Sequence, residues 1–334
     1  MDNVHETLQG LKVGEATVFE GLTVFPLLGG NRREPAYLTL DQALERGSGR
    51  VTEVSEGGSV PELRFRNDGE QPVLLVDGEE LVGAKQNRTL NLTILVAAET
   101  SVVIPVTCVE QGRWAYRSAE FASAKRSHFA RARAAKAAQV STSLRESGSR
   151  RADQGQVWEA IEEKLELFQT ASPTLAMGEI YEQQRHGIEG YLQGLPTVDG
   201  QVGAVFAVNG EVSGVDLFDC SATLAALWPK LVSSYAMDAL GTGGRYGDAP
   251  DPDAPRKATA AFLDAVSAAK VERFPALGLG EDLRLQASGV AGGALQVDGR
   301  VVHLSAFRVD GNGGRERTRR PHMASASRRR ATRH

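Results

Sequence analysis

The sequence predicts an α+β fold with a β-rich N-terminal half of sandwich or barrel-like character, a helical insertion and an α+β C-terminal half. Three observations predict it. Residues 10–118 are a succession of short apolar runs separated by turn residues, the pattern of a many-stranded β unit. From Ser118 the composition turns to alanine and arginine, which favours helix. After residue 196 β-type runs return, two of them joined at Asn209-Gly210 and two at Asp298-Gly299, dipeptides that supply the positive φ of a two-residue hairpin.

The elements follow in order. Ala16 to Glu20 and Leu22 to Leu28 are strand-forming and meet at Gly21; Tyr37 to Leu40 leads into a short helix over Asp41 to Arg46. Thr39 or Asp41 can cap that helix and Gly47 can stop it. Val51 to Val54, Leu63 to Arg66 and Val73 to Val76 are further strands. Asp77-Gly78 then predicts a hairpin between Val73–Val76 and Glu79–Val82. From Thr89 the alternation sets Leu90, Leu92, Ile94 and Val96 on one face and Thr89, Asn91 and Thr93 on the other. Ser101 to Val109 is another strand.

The insertion, residues 119–193, is read as a helix over Phe121 to Val140, a polar loop over 141–156 and an amphipathic helix over Val157 to Gln169. In the last of these Val157, Ile161, Leu165 and Phe168 share a face. Thr174 caps a further helix to about Leu192. Strands Val202 to Val208 and Glu211 to Phe218 follow. A helix then buries Leu224, Leu227, Trp228, Leu231 and Tyr235, with Pro229 kinking or restarting it and Gly241 ending it. Residues 241–256 read as a surface loop and Lys257 to Lys270 as the last helix. Strands Leu283 to Gln286, Ala294 to Val297 and Val301 to Phe307 close the fold. Residues 1–310 are thus expected to share one core. Residues 311–334 hold eight arginines against Glu316 alone, net +7, with almost nothing apolar to bury, and are expected to be a disordered basic tail.

Composition excludes several classes. Of 334 residues 41% are hydrophobic and 24% charged, with a net charge of −4; residues 1–310 then carry −11, which argues against whole-surface nucleic-acid binding. No run approaches a membrane span, and Met1 to Glu6 lacks the basic start and apolar stretch of a signal peptide, so a cytoplasmic protein is expected. Only Cys108 and Cys220 are present and the six histidines are scattered, so no zinc or thioredoxin-type site is expected. Asn87-Arg88-Thr89 matches a glycosylation sequon, which has no meaning without secretion. Nothing in the sequence names a cofactor or an oligomeric state.

Two stretches carry chemistry. In Asp77 to Arg88, Lys85 and Arg88 suit phosphate, Gln86 and Asn87 suit hydroxyls or amides, and Glu79 or Glu80 suits acid–base work; a solvated loop is the plain alternative. Glu79 and Glu80 are adjacent, so a strand sends them to opposite faces, and either would need another carboxylate such as Glu110. In Thr107 to Trp114, Cys108 shares the parity of Val102, Ile104 and Val106, which favours packing over nucleophilic attack. Arg113 and Trp114 follow Gly112 at a strand end, a place for phosphate contact and ring stacking; Trp114 fits a core equally. Asp219-Cys220-Ser221 is read as a helix cap before an anion site. The basic run from Arg113 to Arg151 could steer a phosphate-bearing substrate, though an exposed helix face explains it more simply. Gly241 to Gly247 resembles a dinucleotide fingerprint but follows a helix, not a strand.

The runs Asp77-Gly-Glu-Glu-Leu-Val-Gly-Ala-Lys-Gln-Asn-Arg and Pro105-Val-Thr-Cys-Val-Glu-Gln-Gly-Arg-Trp, with Trp228 and Lys230-Leu-Val-Ser-Ser-Tyr-Ala, resemble the family named for its association with ADP-ribosylglycohydrolase and rhodanese-phosphatase proteins. The resemblance covers most of residues 10–308. It implies an enzyme that processes ADP-ribose or a related NAD-derived nucleotide, by hydrolysis or transfer, with a glutamate and a cysteine near each other: here Glu79 or Glu80, and Cys108. Glu110, Arg113, Lys85, Gln86, Asn87 and Arg88 match the same motifs. The expected partner is a small nucleotide ligand; the alternative is a sensor or adaptor that binds it without turnover. Both require the two stretches to converge.

Overall fold

The computed structural model describes residues 3–29, 34–55, 57–242 and 253–309. In chain order the elements are α1 (Asn3–Gln9), β1 (Lys12–Val13), β2 (Thr17–Phe19), β3 (Leu22–Leu28), β4 (Leu38–Thr39), α2 (Leu40–Glu45), β5 (Gly49–Glu53), β6 (Glu62–Asn67), β7 (Val73–Leu75), β8 (Glu79–Gly83), β9 (Arg88–Leu90), β10 (Ile94–Val96), β11 (Ser101–Cys108) and β12 (Phe121–Ser127). There follow α3 (Ala130–Ser147), α4 (Gln154–Leu167), α5 (Met177–Gln183), α6 (Arg185–Gly194), β13 (Gln201–Val208), β14 (Glu211–Phe218), α7 (Ser221–Gly241), α8 (Asp253–Ser267), β15 (Lys270–Pro275), β16 (Glu281–Ala287), β17 (Val290–Val297) and β18 (Arg300–Arg308).

The α+β architecture is as the sequence predicts, and its β-rich half is a barrel. Strands β11-β6-β5-β12-β8-β9 close on themselves, with Val51, Leu63, Phe65, Leu81, Leu90, Ile104, Val106 and Phe121 filling the lumen. A nine-stranded antiparallel sheet, β1-β3-β13-β14-β18-β17-β16-β15 with β2 beside β3, forms the second body. Strand alternation splits its core in two. Val24, Phe206, Phe218 and Phe307 pack under α7, while Phe25, Val205, Leu217 and Leu304 face the side covered by α1 and α8. A small sheet, β10-β7-β4, joins the two bodies; its β4–β7 pair is parallel.

Several predicted details change. Asn209-Gly210 and Asp298-Gly299 are tight hairpin turns with positive φ at both residues. Asp77-Gly78 is not. It makes a turn closed by Glu79 N–H to Val76 C=O at 3.2 Å, with positive φ at Gly78 alone, and its flanking strands enter different sheets. Phe121–Ser127 is a strand, not the start of a helix, because Phe121 pairs with Val51 and Gly83 to close the barrel; closure overrides alanine's local preference.

Helix α3 runs on to Ser147 and Asp153 caps α4, so the predicted polar loop shrinks. The predicted helix to Leu192 is two, α5 and α6, and its first cap is Ala176. Thr174 instead donates to Glu110. Helix α7 passes through Pro229 without restarting, held against the sheet by Leu224, Leu227, Leu231 and Tyr235. Its cap is Cys220, not Asp219 or Ser221, while Asp219 accepts from the Tyr37 hydroxyl. Strand β15 occupies a stretch in which no strand is predicted, and Lys270 opens it instead of closing α8. Of the predicted 241–256 loop, residues 243–252 lie outside the described residues, as do 310–334.

Candidate functional site

The pleat of the barrel sorts the two chemistry-bearing stretches onto two faces. Arg88 pairs with Leu81 on one side and Cys108 on the other, in register with the lumen pair Leu90 and Val106. Arg88 and Cys108 therefore point into the lumen. Glu80, Thr89 and Thr107 alternate with them and point outward. Glu53, beside lumen residue Leu63, faces inward near the same end.

At this end of the lumen the stretches are hydrogen-bonded together. Gln86 Nε2 donates to Glu110 C=O at 3.0 Å, Asn87 N–H donates to Glu110 Oε2 at 3.2 Å, and Arg113 Nη2 donates to Asn87 Oδ1 at 3.0 Å. Gln86 Oε1 accepts from Arg88 Nη1 at 3.0 Å and from the Cys108 thiol at 3.3 Å. Arg88 is fully buried, and its Nε and Nη2 have no acceptor; neither carboxylate oxygen of Glu53 has a donor. Burial lowers the pKa of the guanidinium, against the through-space attraction of Glu53. Trp114 is half exposed at the rim, its ring 5.7 Å from Arg88 Cζ and 5.4 Å from Lys85 Nζ, within cation–π range.

The candidate carboxylates are all buried and all paired. Glu79 Oε1 lies 2.5 Å from Lys230 Nζ, which also holds Asp41 at 2.7 Å. Glu80 Oε2 lies 2.5 Å from Arg126 Nε on the outer face; burial raises its pKa against the pull of Arg126. Glu110 accepts from Arg113, Asn87 N–H and Thr174. Burial alone would raise its pKa, yet these donors bring it below the usual range. Arg113 gives all five N–H groups to Glu110, Ala84 C=O, Ala115 C=O, Gly83 C=O and Asn87. It positions Glu110 and has no N–H left for a ligand. Cys108 is fully buried, with burial raising its thiol pKa. Gly83 fits because a Cβ there would meet Glu120 O at 2.7 Å.

Outside the barrel lies a group that sequence reading did not find. Arg133 on α3, with no exposed surface, bridges Asp77 at 3.2 Å and Asp216 at 2.6 Å. Tyr235 donates to Asp216 at 2.9 Å, Ser305 to Asp77 at 3.3 Å, and His303 lies 3.6 Å from Asp216. A small cavity of about 20 Å³ is lined by Asp77, Arg133, Lys136, Asp282, Arg284 and His303 among others. Three of these six come from the C-terminal strands, and the only signal for them was charged residues within strand patterns.

A family model for the ARG and Rhodanese-Phosphatase-superfamily-associated Protein domain matches residues 10–307. The chain belongs to that family. Neither the curated proteins nor the solved structures provide a match to it. The family match spans the barrel, the helices and the large sheet together, so both the lumen end and the outer cavity fall inside the family domain. Among the described residues no helix is long and apolar enough to cross a membrane, and no group of three or more His, Cys, Asp or Glu is set to hold a metal ion.

Proposed function

We propose that this protein binds ADP-ribose or a related NAD-derived nucleotide at the end of the barrel lumen and hydrolyses or transfers part of it. The observation that carries the reading is Arg88: a fully buried guanidinium with two nitrogens lacking acceptors, beside an exposed-edge indole and Lys85. Buried donors left unmatched are unfavourable by about 1–3 kcal/mol each, and phosphate oxygens satisfy them. An aromatic face at the rim suits a nucleobase. Arg88 and Lys85 would take the phosphates and Trp114 the base. Glu110, kept ionised by its donors, suits stabilising positive charge at an anomeric carbon more than donating a proton.

One observation favours a non-catalytic sensor as the second reading. Glu79, Glu80 and Glu110 are each matched to a cation, Lys230, Arg126 and Arg113, which leaves none of them in the ordinary state of a general base. Calorimetric titration with ADP-ribose, NAD and AMP, with NMR of each mixture over hours, tests both. Binding with turnover supports the enzyme, and binding without turnover supports the sensor. No binding by any of the three removes both readings.

A further inference from the structure

The outer cavity is a separate polar site, on the opposite side of β9 from the lumen end. Its charges do not balance. Arg133 is shared by Asp77 and Asp216, Asp282 is shared by Arg284 at 2.5 Å and Arg150 at 3.4 Å, and Lys136 stands outside both groups. Lys136 Nζ, 1% exposed, meets only neutral oxygens, Leu90 C=O at 2.5 Å and Thr89 Oγ1 at 3.1 Å. Four cations thus face three carboxylates.

The unmatched atoms point the same way. Each carboxylate oxygen of Asp77 and Asp282 has a donor or cation: Arg133 and Ser305 for Asp77, Arg284 and Arg150 for Asp282. Among the buried side-chain atoms of the lining, Arg284 Nε lacks a partner, whereas His303 Nε2 faces Asp216 Oδ1 at 3.6 Å. His303 Nδ1 is engaged by Thr93 Oγ1 at 2.8 Å. An ammonium on Lys136 also has a third N–H beyond its two acceptors. The cavity therefore lacks acceptors.

We propose that this cavity binds a compact oxyanion, a phosphate or carboxylate group, held by Lys136 and Arg284 with His303 beside them. An anion there supplies the missing negative charge, which a buried cation needs. Binding is coupled to a proton. Burial lowers the Lys136 pKa to about 7, with Asp77 opposing and Arg133 assisting. The groups facing it are Asp77 from the turn, Arg133 from its own helix, Asp282 and Arg284 from β16, His303 from β18, and His128 ahead of α3. An anion favours the charged amine, so affinity falls as pH rises above 7, by about tenfold per unit at the limit of one proton.

The test titrates sodium phosphate and sodium acetate into the full chain, against sodium chloride of equal ionic strength, by calorimetry in two buffers of different ionisation enthalpy. Saturable binding of either anion is expected, with proton uptake at pH 8 and with affinity lowered about tenfold or more by Lys136→Met and by Arg284→Met. Phosphate alone or acetate alone identifies the ligand group. Arg88→Gln, in the lumen, leaves this binding unchanged, which separates it from the nucleotide reading. The proposal is overturned if neither anion exceeds chloride, if both cavity variants keep wild-type affinity, or if Arg88→Gln abolishes binding.

Discussion

Arg133 Nη2 and Asp216 Oδ1 lie 2.6 Å apart, with neither side chain exposed to solvent. Helix α3 packs against the large sheet through this contact, and Asp77 draws the barrel turn onto the same guanidinium. Burial would raise the Asp216 pKa, but Arg133 and His303 hold it well below the usual carboxylate range. The folded value is depressed, so its stabilisation is complete above the unfolded value near 4 and is lost as pH falls below it. Arg133→Met leaves two buried carboxylates without their cation. It is expected to destabilise the fold by about 3–5 kcal/mol in urea unfolding at pH 7. A change under about 1 kcal/mol would show the pair to be dispensable.

Arg113 and Arg88 are both buried, yet their variants should differ. Arg113 has acceptors for all five N–H groups and fixes Glu110. Arg113→Met strands that carboxylate and three carbonyls, so a loss of about 3 kcal/mol or more is expected. Arg88→Met removes a cation with two unmatched nitrogens. Its expected destabilisation is below about 1.5 kcal/mol, while affinity for any lumen ligand falls at least about tenfold. Parallel denaturation and titration of the two variants check this; equal stability losses would refute the assignment of Arg88 to a ligand.

What sequence reading could reach was local. Asn209-Gly210 and Asp298-Gly299 behave as the dipeptide chemistry requires, since both φ values are settled within two residues. Asp77-Gly78 carries the same signal, but Val73–Leu75 and Glu79–Gly83 part into different sheets, a decision made by distant partners. Phe121–Ser127 is strand for the same reason. Parity along β11 correctly put Cys108 with Ile104 and Val106, and parity along β9 would have parted Arg88 from Thr89. The Arg133 group was out of reach. Its members come from residues 77, 133, 216 and 303, and nothing in a strand pattern marks which charged residue turns inward.

Cys108 offers a chemical probe of the lumen. Its thiol is fully buried, donates to Gln86 Oε1 at 3.3 Å, and has its pKa raised by burial against the attraction of Arg88. Thiolate is the reactive form, so iodoacetamide at pH 7.5 should leave Cys108 unlabelled in the native chain and label it in urea. Cys108→Ala should change ligand affinity by no more than about twofold, with a stability loss of about 1–2 kcal/mol for the small cavity. Fast native labelling at Cys108, read by peptide mass, would instead mark it as an accessible nucleophile.

Lys136 should leave a signature in the pH dependence of stability with no ligand present. In the unfolded chain its amine titrates near 10.4, and in the fold burial brings it to about 7. Between those values the unfolded chain holds more protons, so unfolding free energy rises with pH, by up to about 1.4 kcal/mol per unit from this group. Below pH 7 the amine is charged in both states and the burial penalty is complete. Lys136→Met removes the charge while keeping most of the apolar stem. The variant is therefore expected to be more stable than wild type at pH 6, with the difference shrinking toward pH 10. Urea unfolding of both chains at pH 6, 8 and 10 measures it, and a constant difference across that range would mean that the buried amine does not titrate there.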